Sequence, residues 1–261
     1  MNKIRVILLG TRPLSMYAYK VLLGSKNVTI KGAVTKKPKK NSYWKKDLFN
    51  LPTKKKISLF KLKKIDFDLG ISINWEKKIE TNLLKKPKFG FINLHNSYKN
   101  IIKGRNIATH SILIHSNIRK SFYGSTLHHM TEKIDEGKII DTKKVNIKSL
   151  DTAWSLYKKG LKTSEKIIKN NLSNLIFIKK KKKFKKPKKT FFFTKKDLPN
   201  KKIKKISNQN KLKLFNLIRS LEFPKSSPCY ILKNKKKIYL TIKKNKNKII
   251  KIDNKRSIYS R

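Results

Sequence analysis

The beginning of the chain alternates between short apolar runs and helical patterns, and this alternation restricts the folds that are open to it. Residues Ile4 to Leu9 form an apolar run rich in branched side chains, which Gly10 and Thr11 end. Pro13 then begins a pattern in which apolar residues recur at helical spacing. Further strands are predicted at 28–34, 68–73 and 91–94, with a helix at 77–84. The alternation predicts an α/β fold with a doubly wound, mostly parallel sheet.

The sequence also predicts strands at 122–130 and 139–145, on either side of a loop that contains Asp135. A short helix is predicted after Asn106. Open α/β sheets bind ligands in the crevice at the carboxyl ends of their strands. Polar residues at these strand ends are therefore the first candidates for a functional site.

Two longer segments complete the predicted main domain. Thr152 is expected to cap a long helix, and the apolar stripe of that helix is expected to belong to the core. Residues 36–64 are rich in lysine and contain Pro38 and Pro52. We expect them to form a long, irregular crossover.

Lysine becomes denser toward the C-terminus, which indicates a domain boundary. Residues 171–261 carry 31 basic and three acidic residues, a net charge of +28, against +27 for the first 170 residues. Nine of the eleven residues from Lys179 to Lys189 are lysine, and such a block repels itself into an extended linker. We predict a main, site-bearing domain at 1–178, a lysine-rich linker at 179–210 and a small, mostly β module at 211–261.

The formal net charge of +55 would ordinarily indicate a nucleic-acid partner. Seven of the 69 basic residues are arginine, whereas selective recognition of bases and phosphates favours the planar arginine fork. Lysine, asparagine and isoleucine share A/T-rich codons, so we interpret most of this charge as solvated surface encoded by a biased genome. An anion-binding role for the lysine block is the alternative.

The single cysteine, Cys229, excludes an internal disulfide framework and favours a reducing compartment. The N-terminal run Val6 to Leu9 is too short for the core of a signal peptide, and no other apolar run is long enough to span a bilayer. These features predict a cytoplasmic protein without a membrane partner. They predict no particular oligomeric state.

The residues best suited to chemistry are Asn93 and His95, which follow the apolar run 89–92. They lie two apart on a predicted strand, so their side chains leave the same face. An amide and an imidazolium can stabilise the oxyanion that forms when an amine attacks a formyl carbon. Asp135 can favour the charged imidazole and accept the proton of the amine, directly or through water. The three residues therefore predict acyl transfer to an amine without a covalent intermediate.

Phosphate binding has weaker support. Gly10 and Thr11 lack the further glycines of a dinucleotide or nucleoside-triphosphate loop. A helix start can still receive one phosphate through its free N–H groups. A tight turn that needs glycine explains the same residues.

The five histidines do not predict a metal site. His128 and His129 are adjacent on a predicted strand and point to opposite faces. His110 and His115 do not have the i, i+4 spacing of two ligands on one helix face, and the one cysteine is remote. We expect His110 and His115 to be ordinary helix or surface residues.

Four segments resemble, in this order, the folate-dependent formyltransferase family. They are Gly-Phe-Ile-Asn-Leu-His-Asn-Ser at 90–97, Gly-Arg-Asn at 104–106, Ser-Thr-Leu-His at 125–128 and Ile-Asp-Glu-Gly-Lys-Ile-Ile at 134–140. The resemblance covers residues 1 to about 175, and 214–224 is similar to the start of the family's C-terminal module. It implies a Rossmann-like formyltransferase fold in which Asn93, His95 and Asp135 are catalytic.

The same resemblance implies the ligands and their contacts. The formyl donor would be 10-formyltetrahydrofolate, in contact with Trp75, Lys77, Ile79 and Ile134. The contacts of the amine substrate would be Gly10, Thr11, Ser97, Arg105, Asn106 and His128. The loop at 98–103 departs from the family, whose members usually have Leu-Pro there, and this puts the identity of the acceptor in question more than the type of reaction.

The implied acceptor is the amino group of an aminodeoxy sugar on a nucleotide carrier. The segments Thr126-Leu127-His128 and Gly104-Arg105-Asn106 resemble those of sugar-acting members, and Arg105 could hold a diphosphate oxygen. The basic C-terminal part would suit a tRNA instead, so a methionyl-tRNA formyltransferase is the alternative. A second alternative is a non-catalytic nucleic-acid-binding protein on the same fold.

Overall fold

The computed structural model describes residues 3–38, 44, 47–179, 184–185, 187–204, 211–224, 226–243 and 248–252. Within these ranges the strands are β1 Ile4–Gly10, β2 Val28–Val34, β3 Leu69–Ile73, β4 Phe91–Ser97, β5 Ile102–Gly104, β6 Tyr123–His129, β7 Ile139–Lys144, β8 Phe191–Phe193, β9 Tyr230–Lys233, β10 Lys236–Lys243 and β11 Lys248–Ile252. The α-helices are α1 Arg12–Leu23, α2 Leu59–Lys64, α3 Thr81–Lys85, α4 Ile107–Ile118, α5 Ala153–Leu172, α6 Ile176–Lys179 and α7 Lys211–Leu221. Short 3-10 helices span Leu48–Asn50, Thr53–Lys55 and Tyr98–Asn100.

The chain divides into two compact units that interleave in sequence. The first contains Met1–Ile101, Gly124–Lys144 and Leu161–Thr190, and the second contains Ile102–Tyr123, Val145–Gly160 and Phe191–Arg261. The boundaries predicted at residues 178 and 210 stay a prediction.

The first unit is built on a six-stranded sheet in the order β2-β1-β3-β4-β6-β7. Strand β1 pairs in parallel with β2 and β3, and β3 pairs in parallel with β4. Strands β6 and β7 are antiparallel. The predicted α/β fold with a mostly parallel sheet is confirmed. The prediction succeeds because branched apolar runs fit strands that are buried on both faces.

Side chains alternate between two hydrophobic clusters along β1, which shows that the sheet has a core on each face. Val6 and Leu8 belong to a cluster that includes residues of α1 and α5. Ile7 and Leu9 belong to a second cluster, to which α2 and α3 contribute. Helices therefore cover both faces of the sheet, as a doubly wound fold requires.

The predicted cap of the long helix is present before α5. The N–H of Ser155 donates to Thr152 Oγ1 at 3.2 Å, and the N–H of Thr152 donates to Ser155 Oγ at 3.0 Å. This reciprocal pair is a capping box with serine in the position usually taken by glutamate or glutamine. It fixes where α5 begins.

Two predictions of local structure need correction. The described part of the expected irregular crossover, 36–64, contains α2 as well as two of the 3-10 helices. Ser58 Oγ caps α2 by accepting the N–H of Lys61, and Leu62 is fully buried. Lysine-rich composition conceals so short a helix, because one buried leucine gives no periodic pattern. The helix predicted at 77–84 is shorter, since α3 spans Thr81–Lys85.

The second unit contains the predicted small β module, in which β9, β10 and β11 form a three-stranded sheet. A hydrophobic cluster joins α7 to β10 and to Cys229, and Leu198 and Ile203 pack against it. These two residues and β8 lie within the predicted linker 179–210, of which 180–183, 186 and 205–210 lie outside the described residues. The described second half of the segment is therefore packed.

A buried arginine connects α7 to the segment before α5 within this unit. Arg219 is 3% exposed, and its guanidinium donates to the carbonyl oxygen of Asp151 and to Asn216 Oδ1, each at 2.7 Å. Burial lowers the pKa of Arg219 from its ordinary value, and the nearby charge of Asp151 opposes that effect. Among the described residues, the helices are too short or too polar to cross a membrane.

Candidate active site

Strand β4 places the first two predicted catalytic residues in one row. Asn93 and His95 are both on β4, two residues apart, so their side chains leave the same face of the sheet. Strand β3 lies beside it, and Ser72 of β3 is in register with Asn93. The Ser72 hydroxyl donates to Asn93 Oδ1 at 2.9 Å.

The loop that joins β6 to β7 brings Asp135 to this row. The N–H of His129 donates to the carbonyl oxygen of Lys138, which closes the loop, and the N–H of Met130 donates to the carbonyl oxygen of Phe91 on β4. Asp135 has a φ of 57°, in the left-handed region that aspartate tolerates better than most residues. The backbone of the loop thus turns the carboxylate toward β4.

The carboxylate of Asp135 faces two imidazole rings. Asp135 Oδ2 lies 3.6 Å from His95 Nε2, and Asp135 Oδ1 lies 3.5 Å from His128 Nε2. The side chains of Asp135 and His95 are 8% and 11% exposed. Charged groups in such a place interact more strongly than they do in water.

His128 lies on β6 and bridges the other groups. Its Nδ1 is 2.8 Å from the carbonyl oxygen of His129, and its Nε2 is 3.3 Å from Asn93 Nδ2. A carbonyl oxygen only accepts hydrogen bonds, so Nδ1 of His128 carries a proton. Asn93, His95, His128 and Asp135 therefore form one partly buried cluster of amide, imidazole and carboxylate groups.

This cluster has the parts needed for general acid–base and oxyanion chemistry on a doubly wound α/β sheet. The amide of Asn93 and an N–H of His95 can donate hydrogen bonds to an oxyanion, and a carboxylate such as that of Asp135 can accept a proton. The fold and the cluster together define an acyl-transfer type of site. The sequence model of the formyl transferase family matches residues 20–172, more than half of the chain. The chain belongs to the formyl transferase family.

Three curated relatives match parts of the chain. The bifunctional polymyxin resistance protein ArnA of Wigglesworthia glossinidia brevipalpis is 34% identical over 115 residues, 44% of this chain and 17% of the relative. A methionyl-tRNA formyltransferase of Bacillus subtilis (strain 168) is 29% identical over 42% of this chain and 33% of the relative. A GDP-perosamine N-formyltransferase of Brucella melitensis biotype 1 is 32% identical over 35% of this chain and 34% of the relative. The matched part thus spans between about a sixth and a third of the length of these relatives.

Two solved structures have a similar fold over most of the chain. A sugar N-formyltransferase from a Shewanella species superposes with a TM-score of 0.70 at 18% identity, covering 93% of this chain and 98% of that one. An N-formyltransferase from Helicobacter canadensis, crystallised with folinic acid and dTDP-3-aminofucose, has a TM-score of 0.70 at 22% identity, covering 93% and 89%. At such identities the likeness establishes the fold.

The residues predicted to contact the formyl donor have different surroundings. Trp75 is partly buried against the second hydrophobic cluster, and its Nε1 has no hydrogen-bond partner among the described residues. Ile79 is 3% exposed within that cluster, whereas Lys77 is exposed and Ile134 is 51% exposed. Their contact with a folate stays a prediction.

The predicted acceptor contacts are divided between the units. Gly10 and Thr11 lie where β1 ends, two strands from β4, and the hydroxyl of Thr11 donates to the carbonyl oxygen of Asn74 at 2.8 Å. The N–H of Arg12 at the start of α1 donates to the buried carboxylate of Asp47. His128 is 2% exposed beside Asn93, as described above. The acceptor roles of Gly10, Thr11 and His128 stay predictions.

Ser97, Arg105 and Asn106 follow the end of β4 in sequence. Ser97 is fully buried, and its carbonyl oxygen accepts the hydroxyl of Thr126 at 2.6 Å. Arg105 and Asn106 belong to the second unit, where the N–H of Arg105 donates to the carbonyl oxygen of Phe193 and Asn106 precedes α4 with a φ of 55°. Their predicted roles also stay predictions.

His110 differs from the expectation of an ordinary helix or surface residue. It is 4% exposed, stacks on Phe193 with ring centroids 3.7 Å apart, and its Nε2 has no partner among the described residues. Burial lowers the pKa of His110, and the charge of Asp197 opposes that effect. The sequence missed its burial because β8, which contains Phe193, is distant in sequence. In the described part of the chain, no group of three or more His, Cys, Asp or Glu side chains could hold a metal ion.

Ser72 is the polar neighbour of the site that the sequence analysis missed. Strand β3 reads Leu-Gly-Ile-Ser-Ile and is buried throughout. The sequence contained one indication of its role, a hydroxyl in an otherwise apolar strand. A polar group in a fully buried strand needs a hydrogen-bond partner.

We expect Gly137→Ala to lower activity by about tenfold or more while the protein stays folded, since small misplacements of catalytic groups are costly. A Cβ at Gly137 would overlap the carbonyl oxygen of His129. The same oxygen accepts the hydrogen bond that His128 Nδ1 donates. Relieving this overlap moves the Asp135 loop. Initial rates of formyl transfer and urea unfolding measure the two effects.

Gly24→Ala is the matched control. Gly24 ends α1 with a φ of −76°, and its added Cβ would meet atoms at 3.7 and 3.8 Å, which is ordinary contact. We expect unchanged activity in this variant. A Gly137→Ala protein with parent activity would contradict the packing described for the loop.

Proposed function

We propose that the protein transfers a formyl group from 10-formyltetrahydrofolate to a primary amine. The observation that carries the proposal is the partly buried cluster of Asn93, His95 and Asp135, within the part of the chain that matches the formyl transferase family. The amide, the imidazole and the carboxylate are the groups that this reaction requires.

Each group has a separate task in the proposed reaction. The nitrogen of the amine attacks the formyl carbon, and negative charge develops on the formyl oxygen. Asn93 Nδ2–H and an N–H of the His95 ring stabilise this oxygen by donating hydrogen bonds. Asp135 accepts the proton that the amine loses, directly or through water. The proton that Asp135 takes from the amine balances the one that the donor nitrogen needs when its bond to the formyl carbon breaks.

The residues around the loop after β3 fit a folate donor chemically. Trp75 Nε1 and Asn74 Oδ1 are buried polar atoms without a hydrogen-bond partner among the described residues, and a pterin ring carries both donors and acceptors. Trp75, Lys77, Ile79 and Ile134 would hold the folate, which supplies the activated formyl group when bound. The relative from Helicobacter canadensis, which was crystallised with folinic acid, supports this donor.

The acceptor that we favour is the amino group of an aminodeoxy sugar on a nucleotide. A GDP-perosamine N-formyltransferase and the structure with dTDP-3-aminofucose are among the relatives. Gly10, Thr11, Ser97, Arg105, Asn106 and His128 would contact this acceptor. A bidentate arginine suits a diphosphate, and Arg105 is the candidate for that contact.

Purified protein offered GDP-perosamine, dTDP-3-aminofucose or methionyl-tRNA, each with 10-formyltetrahydrofolate, is expected to formylate one of the sugar nucleotides fastest. This result is expected because contacts with the nucleotide carrier would add binding energy that positions the amine of the sugar for the reaction. Mass spectrometry detects the added formyl group, and reactions without the donor are the control. Faster formation of formyl-methionyl-tRNA than of any formylated sugar would overturn the preference.

The methionyl-tRNA alternative is kept because a methionyl-tRNA formyltransferase is also a relative and because the last 91 residues carry a net charge of +28.

A non-catalytic nucleic-acid-binding protein is the second alternative. Its RNA affinity would fall steeply with salt concentration. Quenching of tryptophan fluorescence by a reduced-folate analogue, retained at high salt and lost in Trp75→Phe, would favour the enzyme. A steep salt dependence of RNA binding without any folate response would favour the binding protein.

A further inference from the structure

We propose that Ser72 is a positioning residue that acts on the reaction through Asn93. Ser72 on β3 is in register with Asn93 on β4, and its hydroxyl donates to Asn93 Oδ1 at 2.9 Å. Ser72 is 2% exposed, so water does not replace this partner. The inference rests on the proposed function, because it assigns Asn93 a donor role toward an oxyanion.

Both ends of the Asn93 amide have a polar partner. The carbonyl oxygen of His129 only accepts, so Nδ1 of His128 donates to it at 2.8 Å. Asn93 Nδ2 lies 3.3 Å from the other nitrogen of this ring, Nε2. At the opposite end of the same amide, Asn93 Oδ1 accepts the hydroxyl of Ser72.

The oxygen of the Asn93 amide therefore faces Ser72, whose hydroxyl is the donor. A row of polar contacts leads from Ser72 through Asn93 and His128 to the His129 carbonyl group. The amide is held at both ends. Its second N–H is the one that an oxyanion can use.

The position of this N–H decides how much it contributes to catalysis. An oxyanion-hole donor must lie about 2.7–3.1 Å from the oxygen that becomes charged. Without the Ser72 hydroxyl, Asn93 Oδ1 loses a partner in a buried place, and the amide group can rotate about its Cβ–Cγ bond. A rotated amide weakens stabilisation of the transition state and is expected to leave the binding of both substrates unaffected, since Ser72 is 2% exposed and offers them almost no surface.

The choice of serine in β3 is consistent with this role. Every residue of β3 is buried, and Ser72 is its one hydroxyl. An unpaired buried hydroxyl costs stability, whereas a paired one is tolerated. The hydrogen bond to Asn93 is therefore what makes a polar residue acceptable at this place in the core.

The test compares Ser72→Ala, Ser72→Thr and Ser125→Ala in the full-length protein. Ser72→Ala is expected to lower kcat about ten- to hundredfold with KM values within about twofold of the parent. Ser72→Thr retains the hydroxyl on a residue that strands favour, and it is expected to restore most of the lost kcat.

Ser125→Ala is the matched control for loss of a buried hydroxyl. Ser125 is fully buried on β6, and its hydroxyl contacts those of Thr163 and Ser164. We expect this variant to lose stability while its kcat stays near that of the parent. Parent-like kcat in Ser72→Ala, or an equal fall in Ser125→Ala, would overturn the positioning role.

A second measurement does not depend on activity. The side-chain amide signals of Asn93, identified in heteronuclear NMR spectra by their loss in Asn93→Ala, are expected to shift in Ser72→Ala and to return in Ser72→Thr. Unchanged signals would refute the inference even if no formyl transfer were found. Shifted signals in a protein whose parent form transfers no formyl group would show that the proposed function has failed and that the positioning of Asn93 holds.

Discussion

Replacing Asp135 with asparagine is expected to lower the turnover of formyl transfer about a hundred- to thousandfold, with the fold retained. Asparagine has the same size but no charge to face His95 Nε2 at 3.6 Å. It also cannot accept the proton of the amine. Initial rates of product formation at saturating donor and acceptor measure the effect.

Glu136→Gln is the control for a general loss of charge from the same loop. Glu136 follows Asp135 directly and has an exposed side chain, so its replacement is expected to leave turnover within about twofold. His95→Ala should resemble Asp135→Asn, because the two groups act as one unit. Turnover in Asp135→Asn within tenfold of the parent value would show that the roles assigned to this site are wrong.

Replacing Arg219 with methionine is expected to lower the free energy of unfolding by about 3 kcal/mol, a large effect for a single residue. Methionine fills similar space, but the carbonyl oxygen of Asp151 and Asn216 Oδ1 lose their donor in a buried place. A buried acceptor without a partner costs more than the hydrogen bond itself contributed. Urea unfolding followed by circular dichroism and tryptophan fluorescence measures the change.

Two variants of α7 separate this effect from general loss of charge. Lys213→Met removes an exposed positive charge from the same helix, and its effect is expected to stay within about 0.5 kcal/mol. Arg219→Lys keeps the charge but loses the fork that reaches two acceptors, so an intermediate loss is expected. If Arg219→Met unfolds at the same urea concentration as Lys213→Met, the buried arginine does not stabilise the second unit.

The sequence predicted the sheet of the first unit well because its signals are local. The run Ile4 to Leu9 is followed at once by a turn and a helix, and every strand predicted between residues 4 and 145 is found within a few residues of its predicted bounds. Elements shorter than two helical turns, such as α2, leave no periodic signal and were missed. The length of the helix at 77–84 was misjudged for the same reason.

Part of the site could also be predicted from the sequence. Asn93 and His95 lie two apart on one strand, so local geometry alone places them on one face. Asp135 lies about forty residues further along, and its chemistry and the order of the family segments indicated its relation to them. Its position 3.6 Å from His95 depends on the hydrogen bonds that close the loop after β6.

The sequence by itself determined the fold class and the residue types of the site, because apolar periodicity and strand alternation are encoded in neighbouring residues. Only the tertiary structure decided which contacts Asn93 makes with side chains of other strands. Ser72 and His128 reach Asn93 from two other strands, and the order β3-β4-β6 brings them together. Strand order arises from packing on both faces of the sheet, which depends on residues far apart in the chain.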